Sequence, residues 1–460
     1  GALVNFISHS VVVGFTAGAA VLIAVKQLKY FFDVSLDSGG HVHDILIRFV
    51  GQAADINPYA TVVAVATLAA GILVRRFLPR IPYMLAAMLV GGLTAVLLDS
   101  VVGPEVTRIA TIGALPASLP PLSAPSLTLN HIRELAPAAL AVTLFALTEA
   151  VSIGRALGAR GGYRIDGSQE FIGQGLSNIA GAFFSGYVAT GSFNRSAVNY
   201  EAGARTPLAA VLAGGLLMLV VLFVAPLASY LPKPTMAAVL FLVAWGLIDR
   251  AEIRHIIKAS GRETAVLAVT FFSALFLDLE FAIFAGVLLS LVLYLERTSK
   301  PRLVTMAPDA GLPNRAFSSN PDIPQCPQLR LLRIDGSLFF GAVPHLESYL
   351  ARLRQTHPEQ KHLAVIADGI NFVDLQGGEA LAKEAQRRRA DGGGFYLINV
   401  KQGLWEALER CGCLDADGVR NLFQSKEAAI RGIFQKLDRS VCAGCTKRIF
   451  RECKTLPPPG

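Results

Sequence analysis

The strongest constraint on this chain is a series of long stretches without a charged side chain. Residues 1–25 carry no formal charge beyond a possible one on His9, and 59–74, 81–98, 171–194 and 206–232 contain no Asp, Glu, Lys or Arg. A further run, 135–148, stops at Glu149 and continues apolar to Gly154, and 234–248, 264–277 and 281–295 follow Lys233. A membrane-spanning helix needs about 20 mostly apolar residues, because in hydrocarbon the backbone must satisfy its own hydrogen bonds. Buried helices of a large soluble core would seldom be so uniformly free of charge. The runs therefore predict a polytopic α-helical membrane domain over residues 1–297. Gly1 stands inside an apolar stretch with no leader before it, and we read the chain as starting partway through that domain.

Composition narrows the reading further. Hydrophobic residues make up 53% and charged residues 17%, against about a quarter charged in a soluble domain. The excess lies almost wholly before residue 297, which excludes a disordered chain, a disulfide-framed secreted module and a wholly soluble enzyme. The net charge of +8 does not mark a nucleic-acid binder, because the basic residues sit at the ends of apolar runs. Arg75, Arg76 and Arg80 share one connection, Arg155, Arg160 and Arg164 another, and Arg250, Arg254, Lys258 and Arg262 a third. By the positive-inside rule these are cytoplasmic, and so is the polar C-terminal part that follows Arg297.

Two places break the apolar pattern. In Gly191-Ser192-Phe193-Asn194-Arg195-Ser196, preceded by Thr190, small polar side chains and an arginine fall at apparent bilayer depth. Such groups are costly there unless they face protein or a water-filled cavity. The pattern predicts a broken half-helix whose free N–H groups and positive dipole end face the midplane, suited to an anion; an ordinary loop capped by Ser192 or Ser196 is the plainer alternative. Glu149 is the second break. An intramembrane carboxylate carries a proton or cation, or pairs with a buried base such as Arg195, or merely pairs with Arg155 at the interface.

Beyond Arg302 the periodicity changes. Residues 298–328, rich in proline, read as a linker. Residues 329–436 alternate strand-like and helical segments: strands at 329–334, 337–343, 362–367 and 395–400, with helices at 344–355, 378–390 and 404–411. This predicts a small α/β domain with a mixed sheet and no catalytic constellation. Arg387-Arg388-Arg389 reads as a solvated face. All six cysteines lie in this part, which suggests reduced thiols or a metal site rather than disulfides. In the tail, 437–460, Cys442, Cys445 and Cys453 give a C-x2-C-x7-C spacing among basic residues that would lower the thiol pKa values. Three ligands are one short of a tetrahedral site, so free thiols are the preferred reading, and no cofactor is expected.

Four stretches together resemble the sulfate permease (SulP) family of anion transporters: Asn5-Phe6-Ile7-Ser8-His9 leading into Gly14-Phe15-Thr16, Glu149 to Arg155, Gly191 to Asn199, and Asp368-Gly369-Ile370-Asn371-Phe372-Val373-Asp374. The last is similar to a STAS domain, the module shared with anti-sigma-factor antagonists. The resemblance implies fourteen segments in two inverted repeats of seven, with this chain starting near the fifth. It places the anion at Gly191, Ser192, Phe193, Asn194, Arg195 and Ser196, and coupling at Glu149. Ile153, where sodium-coupled relatives tend to carry a hydroxyl, favours protons. Leu375-Gln376-Gly377 after Asp374 offers no hydroxyl of the kind phosphorylated in the antagonists.

The expected function is secondary active transport of a small inorganic anion, sulfate foremost, across the cytoplasmic membrane by alternating access with protons. Bicarbonate, chloride or dicarboxylate are alternative substrates on the same fold. A nucleobase permease fits less well, since an uncharged base needs no arginine. A membrane-tethered STAS scaffold or sensor without transport is the rival of another class. Membrane lipid, a second copy of the chain in a homodimer and cytoplasmic partners of the STAS-like domain are the expected partners.

Overall fold

The computed structural model describes residues 8–36, 40–113, 118–277, 279–309, 311–312, 316–413 and 421–456. Asn5, Phe6 and Ile7, which begin the first stretch of resemblance, lie outside them. The chain divides into two compact units, residues 1–291 and 292–460.

The first unit is helical. In order come α1 (His9–Phe31), α2 (Val42–Gly51), α3 (Pro58–Phe77), α4 (Tyr83–Val102), α5 (Pro104–Thr107), α6 (Leu129–Gly161) and α7 (Gly167–Ala182). Then follow α8 (Phe193–Glu201), α9 (Leu208–Ala228), α10 (Lys233–Leu247), α11 (Arg250–Ala259), α12 (Gly261–Phe276) and α13 (Leu279–Thr298). Among the described residues five helices are long and apolar enough to cross a membrane: His9–Phe31, Pro58–Phe77, Tyr83–Val102, Leu129–Val151 and Phe281–Thr298. Leu85, Leu89, Leu93 and Val96 leave one side of α4 exposed and apolar, a face for lipid.

Starts are set by capping side chains that satisfy otherwise free amides. Asn57 accepts from the amides of Tyr59 and Ala60 ahead of Pro58, Asp166 caps α7, and Asp249 caps α11. Helices approach closely where side chains are small. A Cβ on Gly14 would stand 2.6 Å from the Leu267 carbonyl oxygen, and one on Gly18 2.6 Å from the Ala274 methyl, so α12 lies against the glycine stripe of α1. Gly91 similarly meets the hydroxyls of buried Thr67 and Thr235 where α4, α3 and α10 converge.

The boundaries differ from the sequence reading in two places. α6 runs through Arg155 to Gly161, so the connection expected to hold Arg155 and Arg160 is largely helix. The uncharged run 171–194 is not one helix: α7 stops at Ala182, Ser185 takes a left-handed backbone (φ 54°), and the chain is extended to α8.

The second unit contains β1 (Arg302–Pro308), β2 (Phe317–Ser318), β3 (Leu329–Leu338), α14 (Val343–Thr356), β4 (His362–Ile366), β5 (Ile370–Val373) and α15 (Leu375–Ala390). It continues with β6 (Gly394–Ile398), α16 (Gln402–Arg410), β7 (Asn421–Phe423), α17 (Lys426–Phe434) and α18 (Arg439–Ala443). The sheet order is β2-β1-β3-β4-β6-β7, with β5 also on β3. β1 runs antiparallel to β3, while β4, β6 and β7 are parallel to it. One apolar cluster, with Leu332, Leu346, Leu381 and Phe395, packs α14, α15 and α16 on one face; a second, with Leu331, Tyr396, Ile433 and Phe450, packs α17 and the C-terminal segment.

Four local expectations are corrected here. The stretch read as a linker supplies β1 and β2: Pro301 precedes β1 and Pro308 ends it, so proline punctuates an outer strand without interrupting it. Strand β3 runs through Asp335-Gly336 as one piece, with Gly336 at φ +136° and an irregular register beside β5. Arg388 is no solvated side chain: it is 3% exposed and bonded to Glu384, itself 1% exposed. Cys411 and Cys413 form a disulfide rather than remaining reduced.

Candidate functional site

A short helix, α8, starts where the sequence predicts a broken half-helix. Thr190 Oγ1 donates to the Ala146 carbonyl at 2.9 Å, one turn before Glu149 on α6. Gly191 follows against the same helix: a Cβ there would lie 3.3 Å from Ile153 Cδ1 and 3.6 Å from Ala150 Cα. Ala146, Ala150 and Ile153 recur at helical spacing, so one face of α6 seats residues 190–191 and Glu149 lies beside that seat. From the other side α7 holds the same extended segment. Asn178 both donates to the Ala189 carbonyl (2.9 Å) and accepts from its amide (2.7 Å), and Gln174 donates to that carbonyl at 3.2 Å.

Helix α8 thus begins at a fixed point. Ser192 is its N-cap with extended backbone, but its side chain accepts no capping hydrogen bond. The first intrahelical bond is Ser196 N to Ser192 O at 2.9 Å. The amides of the first turn therefore remain available, together with the positive end of the helix dipole, for an anion. A cleft of about 380 Å³ opens beside this start, lined by Gln169, Gln174, Ser177, Thr190 and Gly191 among others.

Of the predicted residues, Thr190, Gly191 and Ser192 follow one another along the turns of α6 that carry Glu149. Glu149 is half-buried on α6. Arg195 is exposed, and among the described residues no ion pair joins it to Glu149, so the pairing considered from the sequence is not made in this structure. The side chains of Phe193, Asn194 and Arg155 lie outside the described residues. Sequence reasoning missed Gln174 and Asn178. Their signal was present, as two amides on an otherwise uncharged stretch, but only the fold shows that both serve Ala189.

In the second unit Asp374 has a structural duty. It caps α15 through the Gly377 amide (2.8 Å) and accepts from the Phe340 amide (2.8 Å), joining the segments that follow β3 and β5. The thiols depart from expectation as well. Burial raises the pKa values of Cys326, Cys442 and Cys453, and neighbouring thiols add to the rise; Arg439 beside Cys442 and Arg448 beside Cys453 only partly oppose it.

Apolar spanning helices, interrupted by a half-helix start and followed by an α/β unit, define a multi-pass membrane protein. Comparison makes the class specific. The Sulfate permease family profile matches residues 1–270 and the STAS domain profile residues 320–429. The chain therefore belongs to the sulfate permease family. YvdB of Bacillus subtilis (strain 168) is 30% identical over 92% of this chain and 78% of its own length. Sulfate transporter 4.1, chloroplastic, of Arabidopsis thaliana is 29% identical over 82% of this chain, which spans 55% of that relative. The fold is shared with the murine Slc26a9 anion transporter in its inward-facing state, at TM-score 0.84 and 20% identity over 93% of this chain and 71% of that one. The transmembrane domain of a cyanobacterium bicarbonate transporter, BicA, aligns at TM-score 0.52 and 20% identity, over 62% of this chain and 69% of its own.

Proposed function

We propose that this protein moves a small inorganic anion, sulfate foremost, across the cell membrane by alternating access coupled to protons. The observation that carries the reading is the uncapped start of α8, wedged by Thr190 and Gly191 onto α6 beside Glu149. Backbone amides and the helix dipole bind the anion, with Ser192, Asn194 and Ser196 as hydroxyl and amide donors, and Arg195 supplies the positive field. Glu149 takes up and releases the coupling proton. That relatives carry the name sulfate transporter supports sulfate as cargo. The C-terminal unit lies in the cytoplasm, in keeping with the basic connections, and the protein works as a homodimer.

The test is uptake of labelled anions into proteoliposomes, with sulfate, bicarbonate, chloride and a dicarboxylate in parallel. Sulfate flux driven by an inward proton gradient supports the reading. Preference for another anion changes the cargo but keeps the site, and absence of flux for all four leaves a membrane-tethered scaffold. In Glu149→Gln the pH dependence of uptake should vanish while sulfate binding persists; uptake as steep in external pH as wild type contradicts the coupling role.

A further inference from the structure

The spacing of Cys442, Cys445 and Cys453 leaves a tetrahedral metal site one ligand short. The fold brings the fourth thiol from 116 residues earlier than Cys442, at Cys326. Gln328, two residues beyond it, ties the tail to the sheet. Its Oε1 accepts from the Asp438 amide (2.8 Å), and its Nε2 donates to the Asp438 carbonyl (3.0 Å) and to Cys442 Sγ (3.2 Å). Ile449 and Phe450 are buried in the second apolar cluster and hold the returning segment of the tail. As a result Cys326, Cys442, Cys445 and Cys453 all line one small cavity, and they are the free cysteines among the described residues. We propose that these four thiols bind a single zinc ion that staples the C-terminal tail to the strand-side segment preceding β3.

Size and charge both favour one ion. The cavity has a volume of about 10 Å³, room for about one water-sized centre. Four cysteinates around Zn²⁺ leave a formal charge of about −2, and Lys447 and Arg448 at the cavity wall offset it. With every coordination position taken by sulfur, the site is structural, without an open position for chemistry. Among the described residues no group of three or more His, Cys, Asp or Glu stands where it could hold a metal ion, so the four thiols must draw together to bind one.

The experiment uses the whole chain, purified in detergent under reductant without chelator, with zinc measured by elemental analysis. One zinc per chain is expected, with Cys326→Ser and Cys453→Ser each losing most of it and Cys411→Ser losing none. Should the serine variants fold poorly, the wild type alone decides: a strong chelator should release the zinc and expose four further thiols to a thiol reagent. Cobalt added to the chelated protein should give the absorption of a tetrahedral thiolate site. Wild type that holds no zinc after incubation with it, or zinc retained in full by Cys326→Ser, overturns the proposal.

Discussion

Gly191 offers a graded test of the seat that positions α8. Its backbone is not left-handed, so a side chain is resisted only by what it would meet. An alanine Cβ would stand 3.3 Å from Ile153 Cδ1, a terminal methyl free to yield a few tenths of an ångström, and 3.6 Å from Ala150 Cα, which cannot yield. Gly191→Ala should therefore lower sulfate affinity by less than about 1 kcal/mol. Valine adds two methyls, each about 1.5 Å beyond Cβ, and overpacking of this kind costs about 1–3 kcal/mol. The strain is relieved by lifting the start of α8 off α6, so Gly191→Val should weaken sulfate binding about tenfold, equivalent to about 1.4 kcal/mol. Ile153→Val removes the methyl that the alanine meets, so Gly191→Ala with Ile153→Val should recover the alanine loss, a coupling that a double-mutant cycle isolates. The assay is titration calorimetry of sulfate onto detergent-purified protein, with the unfolding midpoint as control. Wild-type affinity in Gly191→Val would refute the claim that this seat positions the anion site.

The second unit yields two further predictions. Burial, with the positive charges of Lys436, Arg388 and Lys361, holds the His362 imidazole below its ordinary pKa, so it is neutral when folded. The unfolded chain takes up a proton below about pH 6.5, so this contribution to stability is intact above that value and lost as pH falls below it. His362→Gln should flatten the acid-side slope of the unfolding midpoint between about pH 5 and 7, and an unchanged slope would remove His362 as its source. Glu384 is 1% exposed, bonded to Arg388 Nε at 2.8 Å and to Arg354. Removing it strands a buried guanidinium, so Glu384→Ala should cost about 3–5 kcal/mol, read as faster hydrogen exchange of the β4 and β6 amides.

The membrane unit was legible because charge is so expensive in hydrocarbon that long uncharged runs mark most of the spans; 171–194, broken between α7 and α8, is the exception. The half-helix was legible for the converse reason, since Thr190, Ser192 and Arg195 interrupt a stretch that had no need of them. What holds that half-helix was not. The bond from Thr190 to a backbone carbonyl 44 residues away, and the grip of Asn178 on Ala189, depend on how α6 and α7 pack. In the second unit β1 was hidden because its prolines fall at the strand's margins, where they do not break pairing. Arg388 misled because a run of three arginines shows no periodicity, while the fold points the middle one at Glu384. The proximity of Cys326 to the tail is likewise a product of topology, set by Gln328 and the second core.

The proposed function stands or falls with an anion held at the start of α8 in the field of Arg195. Sulfate titration by calorimetry on wild type, Arg195→Ala and Arg195→Lys decides it. Alanine should lose about 1.5–3 kcal/mol, the range of a charge-assisted contact, and lysine, which keeps the charge without the guanidinium fork, should recover part of it. Sulfate affinity in Arg195→Ala equal to that of wild type would contradict it.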